Sequence, residues 1–298
     1  MHLCELPPPL QPGDLLRVIA PSGTLRELER LQQGVAWWRS QGYRVELSPD
    51  YDARWGYLAG TDAQRRSQLQ QAIADPDCRG ILCARGGYGG ARLLEDFRWT
   101  DMTAPKWLIG FSDITSLLFD LCQQGISGVH APLLTTIAQE PEWSRQRLLG
   151  WVRGEPLAAL TGTGWGKGTA TGWLLPMNLT VATHLLGTPL QPPLTDAILA
   201  IEDVGEAPYR IDRMLTQWRL AGLFQQIRGI AIGRFSECAP PTTIPSFTVE
   251  EVLRDRLGDL GIPIVADLPF GHDAPNAALP VGRAVELDGD RGILQFHG

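Results

Sequence analysis

The stretch Lys106–Leu121, KWLIGFSDITSLLFDL, predicts a strand, a tight turn and a helix in immediate succession. Its first apolar residues form a run short enough for a buried strand, and Gly110 marks where that strand ends. Ser112 lies in the turn, but the G-x-S-x-G pattern of a nucleophile elbow is absent because Asp113 and Ile114 follow it. Two interpretations of Ser112 stay open. Serine is a preferred helix cap, and the carboxyl edge of a parallel sheet is also where ligands bind.

The same order of strand and helix recurs through the first half of the chain. Short apolar runs within DLLRVIAPSG, YRVELSP and GILCA predict strands. Between the first two, one helical stripe carries Leu25, Leu28, Leu31, Val35 and Trp38. TDAQRRSQLQQAIADP begins with a capping signal and ends at a proline, as a second helix would. Strands separated by helices of this length predict a parallel sheet with helices on both faces.

The second half of the chain has a different character. The segment GEPLAALTGTGWGKGTATG is rich in Gly and Thr and resembles a linker that leads into short strands. Further strands are predicted within AILAIED, GIAIG, PIVAD and AVELDG, and a helix within YRIDRMLTQWRLAG. The predicted fold class is α/β, with an N-terminal α/β domain over residues 1–150, a linker over 151–164 and a C-terminal domain over 165–298.

The composition excludes several classes of protein. The 298 residues are 44% hydrophobic, which is enough for a substantial core, and 26 basic against 33 acidic residues give a net charge of -7. A diffuse acidic surface argues against a nucleic-acid partner. The amino terminus lacks the pattern of a signal peptide and no apolar run is long enough to span a membrane, so we expect a cytoplasmic protein without a membrane partner. The five cysteines and five histidines lack metal-ligand spacing, and neither a metal nor a cofactor is predicted.

The segment RGGYGG, Arg85–Gly90, is a glycine-rich loop that follows a predicted strand. Glycines let a backbone approach a ligand closely and direct N–H groups towards it. The spacing is not G-x-G-x-x-G, and the Lys-Ser/Thr pair of a phosphate loop is absent. The loop is therefore a weak indication of nucleotide binding, and a purely structural turn is an equal alternative.

Acidic and histidine side chains follow strands of the second half. Glu202 and Asp203 end an apolar strand, where an acid can orient a histidine or simply be solvated. His272 lies in a Gly- and Pro-rich loop after another strand, a position suited to proton transfer but also typical of a solvated loop residue. His130 follows a strand and could line the same cleft as His272. His184 lies in a predicted helix and is better explained by core or surface packing.

Taken in order, these motifs resemble the LD-carboxypeptidase family of serine peptidases. That family includes enzymes that trim murein tetrapeptides and the related microcin C self-immunity peptidases. The similar pieces extend from Ala20 to Gly282 and comprise APSG, YLAGTDAQRRSQL, CARGGYGGARLL, WLIGFSDITSLL, GVHAP, NLT with LLGTP, AIEDVGEAPYRIDRML and LPFGHDAPNAALPVG. Such a set in one order is far more specific than any single motif.

The resemblance implies a catalytic triad and its surroundings. Ser112 would be the nucleophile, His272 the general base and Glu202 the residue that orients the imidazole. The oxyanion hole would be the backbone N–H of Asp113 with one from the turn at Gly86 and Gly87. The implied architecture is an N-terminal flavodoxin-like domain that carries the serine and a C-terminal β-rich domain that carries the other two, with the active site in the cleft between them.

The resemblance also implies a substrate. It is a murein tetrapeptide or a related small peptide, cleaved at the L,D bond before its C-terminal D-alanine, without a cofactor and by a homodimer. An arginine suits the free carboxylate because its planar donors match two oxygens, and Arg85 and Arg210 are the candidates. Tyr88 and Asn178 are further candidate substrate contacts.

One departure from the family pattern and two alternatives remain. Pro176-Met177 stand where the family usually has two glycines before Asn178, which makes the backbone there less permissive. One alternative is an enzyme that hydrolyses toxic peptide–nucleotide conjugates of the microcin C kind. The other is a non-catalytic peptide-binding protein in which Ser112 only caps a helix.

Overall fold

The computed structural model of the chain describes residues 3–102, 104–240 and 245–297. These residues form two units. The first comprises residues 3–155 with 277–282, and the second comprises 156–276 with 283–297. The short return of the chain to the first unit differs from the single break that the sequence predicts at 151–164. Residues 151–164 contain the end of a helix and two short strands.

The strands and helices are numbered in chain order. The strands are β1 Leu15–Ile19, β2 Arg44–Leu47, β3 Cys78–Cys83, β4 Trp107–Gly110, β5 Val129–His130, β6 Leu160–Thr161, β7 Thr163–Gly164, β8 Thr169–Asn178, β9 Ala197–Val204, β10 Gly229–Ser236, β11 Ile264–Ala266, β12 Leu279–Pro280, β13 Ala284–Asp288 and β14 Ile293–Phe296. The helices are α1 Leu28–Ser40, α2 Asp62–Ala74, α3 Gly90–Leu93, α4 Thr115–Gln123, α5 Glu142–Val152, α6 Leu179–His184, α7 Pro208–Leu220 and α8 Val249–Leu257.

The sheet of the first unit has the strand order β12-β5-β4-β3-β1-β2. All neighbours pair in parallel except β12, which runs antiparallel to β5 through the pair Leu279↔His130. Apart from β12, this is the flavodoxin-like order, and the predicted α/β class is confirmed. In such a sheet the loops after β1, β3 and β4 emerge side by side at the carboxyl edge.

Burial explains why the strands of this sheet are apolar throughout. All four residues of β4 are buried, as are the last four of β3, because helices cover both faces of a parallel sheet. The two flanking helices differ in how well the sequence defines their starts. Thr61 and Gln64 form a capping box at the start of α2, as the Thr-Asp signal predicts. Helix α1 begins only at Leu28, so Leu25 is buried ahead of the helix and not within it.

The second unit is built on a mixed sheet of order β6-β14-β13-β8-β9-β10-β11-β7. The central strands β8, β9, β10 and β11 pair in parallel, and the outer strands pair antiparallel. Strand β9 is buried along its first seven residues, through Asp203. Its register places Asn178 of β8 directly beside Glu202. Polar residues thus meet at the carboxyl ends of two neighbouring parallel strands, where open α/β sheets bind ligands.

Two negative findings apply to the described residues. Within them, no helix combines the length and apolar character that a membrane span requires. In the same part of the chain, no group of three or more His, Cys, Asp or Glu side chains could hold a metal ion. All five cysteines lie in the described part of the chain, where they are buried and form no disulfide bond, and burial agrees with the apolar runs around Cys83 and Cys122.

Candidate active site

Ser112 occupies a strained position at the carboxyl end of β4. It opens a single 3₁₀ turn that leads into α4, and its φ angle is +64°. This left-handed backbone conformation is unfavourable for residues other than glycine, and such strain persists where surrounding structure enforces it. The N-cap position of α4 belongs to Ile114, so Ser112 is not placed as the cap of that helix.

The buried side chain of Asp113, the residue after Ser112, connects three loops through hydrogen bonds. Its Oδ2 atom accepts hydrogen bonds from Ser22 Oγ at 2.5 Å and from the backbone N–H of Gly90 at 2.7 Å. Burial raises the pKa of Asp113 above its ordinary value, and these hydrogen bonds oppose that rise. The loops that follow β1, β3 and β4 are therefore held to one carboxyl group.

The glycine-rich loop lies directly against the serine. A Cβ atom added at Gly86 would lie 3.0 Å from both Cβ and Oγ of Ser112, so no larger residue fits there without a shift. Gly87 has a φ angle of +113°, which a side chain would strain. The N–H of Gly23 donates to the carbonyl of Gly86 at 3.1 Å and fixes the loop from its other side. The backbone at Gly86 thus packs against the side chain of Ser112.

A buried arginine that sequence reasoning did not single out supports the same turn. Arg65 of α2 has no exposed surface, and its guanidinium donates to the carbonyls of Pro21 and of Gly89, the latter at 2.8 Å. Burial lowers the pKa of Arg65, while its ion pair with Asp62 opposes the change. An arginine in an amphipathic helix is ordinarily predicted at the surface, and only its position against two loop carbonyls reveals its role.

In the second unit, Glu202 and His272 form a hydrogen-bonded pair. Nδ1 of His272 lies 2.6 Å from Oε2 of Glu202, and the Glu202 side chain has no exposed surface. Burial alone would lower the pKa of His272. The nearby charge and hydrogen bond of Glu202, with smaller contributions from Asp203 and Asp273, outweigh burial and raise that pKa.

Asn178 and Asp203 position Glu202 from the side. The amide of Asn178 donates to Glu202 Oε1 at 3.3 Å and to Asp203 Oδ1 at 3.1 Å, and its own oxygen accepts from the N–H of Val181 at 3.0 Å to cap α6. Asp203 Oδ2 accepts from both the N–H and the hydroxyl of Thr180 at 2.8 Å. Burial raises the pKa of Asp203, against the hydrogen bonds from Thr180. Asn178, predicted as a substrate contact, therefore also positions the acid.

Among the remaining candidate substrate contacts, the two arginines already interact with other groups of the protein. Arg85 donates from Nη1 to the carbonyl of Thr24 at 2.8 Å, and its Nε lies 3.4 Å from a carboxylate oxygen of Glu27. Tyr88 is exposed. Arg210 of α7 pairs with Glu206 at 3.4 Å and lies over the neighbouring tyrosine ring.

The two other internal histidines have different environments. His130 is fully buried in β5, where its ring makes an edge contact with Phe111 at 5.6 Å between centroids. His184 is exposed at the end of α6, and its Nδ1 lies 2.7 Å from the carbonyl of Thr180. The histidine beside Glu202 is therefore His272, which lies in the Gly- and Pro-rich loop after β11.

Both halves of the chain match one protein family. The LD-carboxypeptidase N-terminal domain matches residues 16–131, and the LD-carboxypeptidase C-terminal domain matches residues 171–287. A Synechocystis protein provisionally named a carboxypeptidase is 61% identical over 290 residues, which cover 97% of this chain and 96% of that one. The murein tetrapeptide carboxypeptidase of Pseudomonas aeruginosa is 31% identical over 297 residues, covering 95% and 92%.

Solved structures share the fold. The muramoyltetrapeptide carboxypeptidase of Oxalobacter formigenes superposes with a TM-score of 0.85 at 28% identity, covering 94% of this chain and 97% of that one. The microcin C7 self-immunity protein superposes with a TM-score of 0.88 at 20% identity, covering 99% and 98%. At that identity the second likeness demonstrates a common fold only.

Proposed function

Because the chain belongs to the LD-carboxypeptidase family of peptidases, we propose that it is a serine peptidase that removes the C-terminal D-alanine from murein tetrapeptides. The observation that carries the proposal is the 2.6 Å pair between His272 Nδ1 and the buried carboxylate of Glu202. A carboxylate that accepts from Nδ1–H fixes the tautomer in which Nε2 accepts a proton. A binding protein without turnover has no use for a base oriented in this way.

The proposed first half-reaction forms an acyl-enzyme. Ser112 Oγ attacks the carbonyl carbon of the penultimate residue while His272 Nε2 takes the hydroxyl proton. The developing oxyanion is stabilised by the backbone N–H of Asp113 and by one from the Gly86–Gly87 turn. His272 then returns the proton to the leaving nitrogen, the C–N bond breaks, and D-alanine departs as the free amino acid.

In the proposed second half-reaction, water is the nucleophile and Ser112 Oγ is the leaving group. A water molecule gives a proton to His272 Nε2 and attacks the ester carbon, and the tetrahedral intermediate collapses with return of that proton to Ser112 Oγ. Glu202 keeps its hydrogen bond to His272 Nδ1 and stabilises the imidazolium that forms twice in the cycle. The products are D-alanine and the shortened peptide, which fits a role in peptidoglycan recycling.

We place the C-terminal carboxylate of the substrate near Arg85 rather than near Arg210. That carboxylate belongs to the residue that leaves, so it lies within about one residue, ~3.5 Å along the chain, of the scissile bond. Arg85 adjoins Gly86, where an added Cβ would lie 3.0 Å from Ser112 Oγ. Its pairing with Glu27 is partly exposed, and a substrate carboxylate would compete with that pairing.

A comparison of four substrates tests the proposal. Purified protein is incubated with tetrapeptides that differ only in a C-terminal D- or L-alanine, with the tripeptide product, and with an aminoacyl-sulfamoyl adenylate. We expect kcat/KM for the D-alanine substrate to exceed the others by about 100-fold or more, because one misplaced substituent at the reacting centre costs that much. Faster hydrolysis of the adenylate conjugate would instead favour the microcin-type activity, and failure to hydrolyse any of them would favour a binding protein.

A further inference from the structure

Arg65 and Asp113 carry opposite charges in the interior of the first unit, and they are joined through backbone groups. Arg65 has no exposed surface, and Asp113 is 4% exposed. Within the described residues, the carboxylate that pairs directly with Arg65 is that of Asp62, at the start of the same helix. A buried charge is costly unless its partners are well placed, so the groups that connect Arg65 to Asp113 matter for both.

The peptide group between Gly89 and Gly90 bridges the two charges. Its carbonyl oxygen accepts a hydrogen bond from Arg65 Nη1 at 2.8 Å, and its N–H donates to Asp113 Oδ2 at 2.7 Å. The negative end of the peptide dipole therefore faces the cation, and the positive end faces the carboxylate. Hydrogen bonds that are aligned in this way strengthen one another in an interior of low dielectric constant.

Glycine suits both positions of this bridge because a side chain at either of them would collide. A Cβ atom added at Gly89 would lie 2.7 Å from Arg65 Nη1, and one added at Gly90 would lie 3.0 Å from Asp113 Oδ2. Gly89 also has a φ angle of +121°, which a side chain would strain. Contacts within the protein therefore explain the second glycine pair of the glycine-rich loop.

The loop after β1 forms a second bridge between the same two side chains. The carbonyl of Pro21 accepts from Arg65 Nη1, and the next residue, Ser22, donates from Oγ to Asp113 Oδ2 at 2.5 Å. Burial lowers the pKa of Arg65 and raises the pKa of Asp113, and the attraction between the two charges opposes both shifts. We call Arg65, Asp113 and the backbone segments 21–22 and 89–90 the charge clamp.

The charge clamp is connected to Ser112 through the main chain of Asp113. Ser112 directly precedes Asp113, and its φ angle of +64° is unfavourable unless the surroundings enforce it. The Asp113 side chain is fixed by the donors of both bridges, and its carbonyl accepts from Ser116 Oγ at 2.9 Å. A shift of the Asp113 side chain would therefore release the backbone of Ser112 from this constraint.

We propose that Arg65 is a positioning residue for the reaction of Ser112, because the charge clamp holds Ser112 in its left-handed conformation and keeps the Asp113 N–H in place for the oxyanion. This inference rests on the proposed function, since it assigns a role in the oxyanion site of the same serine. Loss of Arg65 is expected to lower kcat about 100-fold, the cost of a small misplacement at a reacting centre. KM should stay within about three-fold of the wild type, because Arg65 does not contact the substrate.

A fluorophosphonate measures the reactivity of Ser112 without any assumption about the peptide substrate. Ser112 Oγ attacks phosphorus, the P–F bond breaks with loss of fluoride, and the hydroxyl proton passes to His272. The P=O oxygen occupies the oxyanion site during this attack. The rate constant for labelling is measured by mass spectrometry of the intact protein. Arg65→Ala should react about 100-fold more slowly than the wild type, and Arg65→Lys about 10-fold more slowly, because lysine keeps the charge but loses the planar donors.

Arg66→Ala is the matched control for these variants. Arg66 is the next residue of α2, and its Nε donates to the carbonyl of Leu93, outside the charge clamp. It should be labelled within about two-fold of the wild-type rate, and urea denaturation establishes that each variant is folded under the conditions of the assay. Labelling of folded Arg65→Ala at the wild-type rate, or an equal loss in Arg66→Ala, would overturn the inference. If Arg65→Ala does not fold, a wild-type rate in Arg65→Lys overturns it.

A double-mutant cycle tests whether Arg65 acts through Asp113. In the Asp113→Asn background, Arg65→Ala should slow labelling by less than about a further three-fold, because the charge clamp is already broken. Full additivity of the two losses would overturn the inference, since Arg65 would then act by a separate route. Absence of labelling at Ser112 in the wild type would refute the serine nucleophile and this inference with it. A labelled wild type with an equal rate in Arg65→Ala rejects the inference alone.

Discussion

Glu202 Oε2 and His272 Nδ1 lie 2.6 Å apart, and the two side chains differ in their exposure to water. The Glu202 side chain has no exposed surface, whereas 18% of the His272 side chain is exposed. The carboxylate is thus sealed from water by the sheet, while the imidazole that it orients remains accessible to a reactant. A buried acid behind a partly exposed histidine is the arrangement that a general base requires.

Replacing Glu202 should change both the rate and its pH dependence. His272 accepts a proton only when neutral, so kcat/KM rises with pH through the pKa of His272, which Glu202 helps to raise. In Glu202→Gln the inflection of the pH profile should move to lower pH, because the raising influence is lost. We also expect kcat to fall about 10³- to 10⁴-fold, since the tautomer and orientation of the imidazole are no longer fixed.

Asp273→Asn provides the matched control for that experiment. Asp273 carries the same charge and also acts to raise the pKa of His272, but less than Glu202 does. Its variant should move the inflection in the same direction by a smaller amount and leave kcat within about two-fold of the wild type. A pH profile for Glu202→Gln that coincides with that of the wild type would be incompatible with the proposed role of the carboxylate.

The strained backbone at Ser112 should lower the stability of the protein, and the Ser112 hydroxyl should be required for activity. Because its φ angle is +64°, Ser112→Gly should relieve backbone strain that Ser112→Ala retains. The glycine variant should unfold in urea with a free energy about 1 kcal/mol higher than the alanine variant, and neither should release D-alanine. Asp50→Gly, at an exposed residue with φ +59°, should raise the free energy of unfolding by less than that, because aspartate tolerates this backbone conformation better than alanine does, and should leave activity intact. Equal stability of the two Ser112 variants would count against the strain.

A single methyl group at Gly86 should impair catalysis more than folding. The added Cβ would lie 3.0 Å from Ser112 Oγ and must displace either the hydroxyl or the turn that faces it. Gly86→Ala should lower kcat by about 10²- to 10³-fold, the cost of a disturbed oxyanion site. Gly125→Ala is the comparison, because Gly125 has a φ angle of +79° but no atom within 4 Å of the added Cβ. It should lose stability and keep its kcat, and the opposite ranking of the two kcat values would refute the assignment.

Asp113 should support both the turn and its stability. Asp113→Ala leaves the buried Ser22 hydroxyl and the Gly90 N–H without their acceptor. Two unsatisfied buried donors should lower the free energy of unfolding by about 2–4 kcal/mol, measured by urea denaturation. Asp120→Ala, at a residue of α4, removes the acceptor of a hydrogen bond from the Trp99 ring N–H and should cost about 1 kcal/mol. Only the Asp113 variant should lose activity, and equal activities would show that the three loops need no common anchor.

Much of the fold was predictable because its strands are short apolar runs bounded by glycine, proline or polar residues. The strands β1, β3, β4, β9, β10 and β11 lie where the sequence predicts them. Helix α7 was predictable from one apolar face formed by Ile211, Met214, Leu215 and Trp218. Helix α5 was not predicted. The two-residue strand β12 was also missed, because its pairing with β5 is a long-range contact that leaves no local periodicity.

Part of the candidate site was likewise predictable from the sequence, and part of it was not. The positions of Ser112, Glu202 and His272 after strands were evident from the sequence, because strand ends collect polar residues at one edge of a parallel sheet. The sequence did not reveal the strain at Ser112, the burial of Arg65 or the hydrogen bond from Asn178 to Glu202. Each depends on backbone angles or on contacts between elements, and residue type alone does not encode these.

The most direct test follows D-alanine release by mass spectrometry from free tetrapeptide and from UDP-linked muramoyl-tetrapeptide, with the wild type and Ser112→Ala side by side. The wild type should release one D-alanine per peptide cleaved, and the variant should release none while retaining the wild-type unfolding curve to within about 1 kcal/mol. Release by a folded Ser112→Ala protein at the wild-type rate would contradict a serine nucleophile.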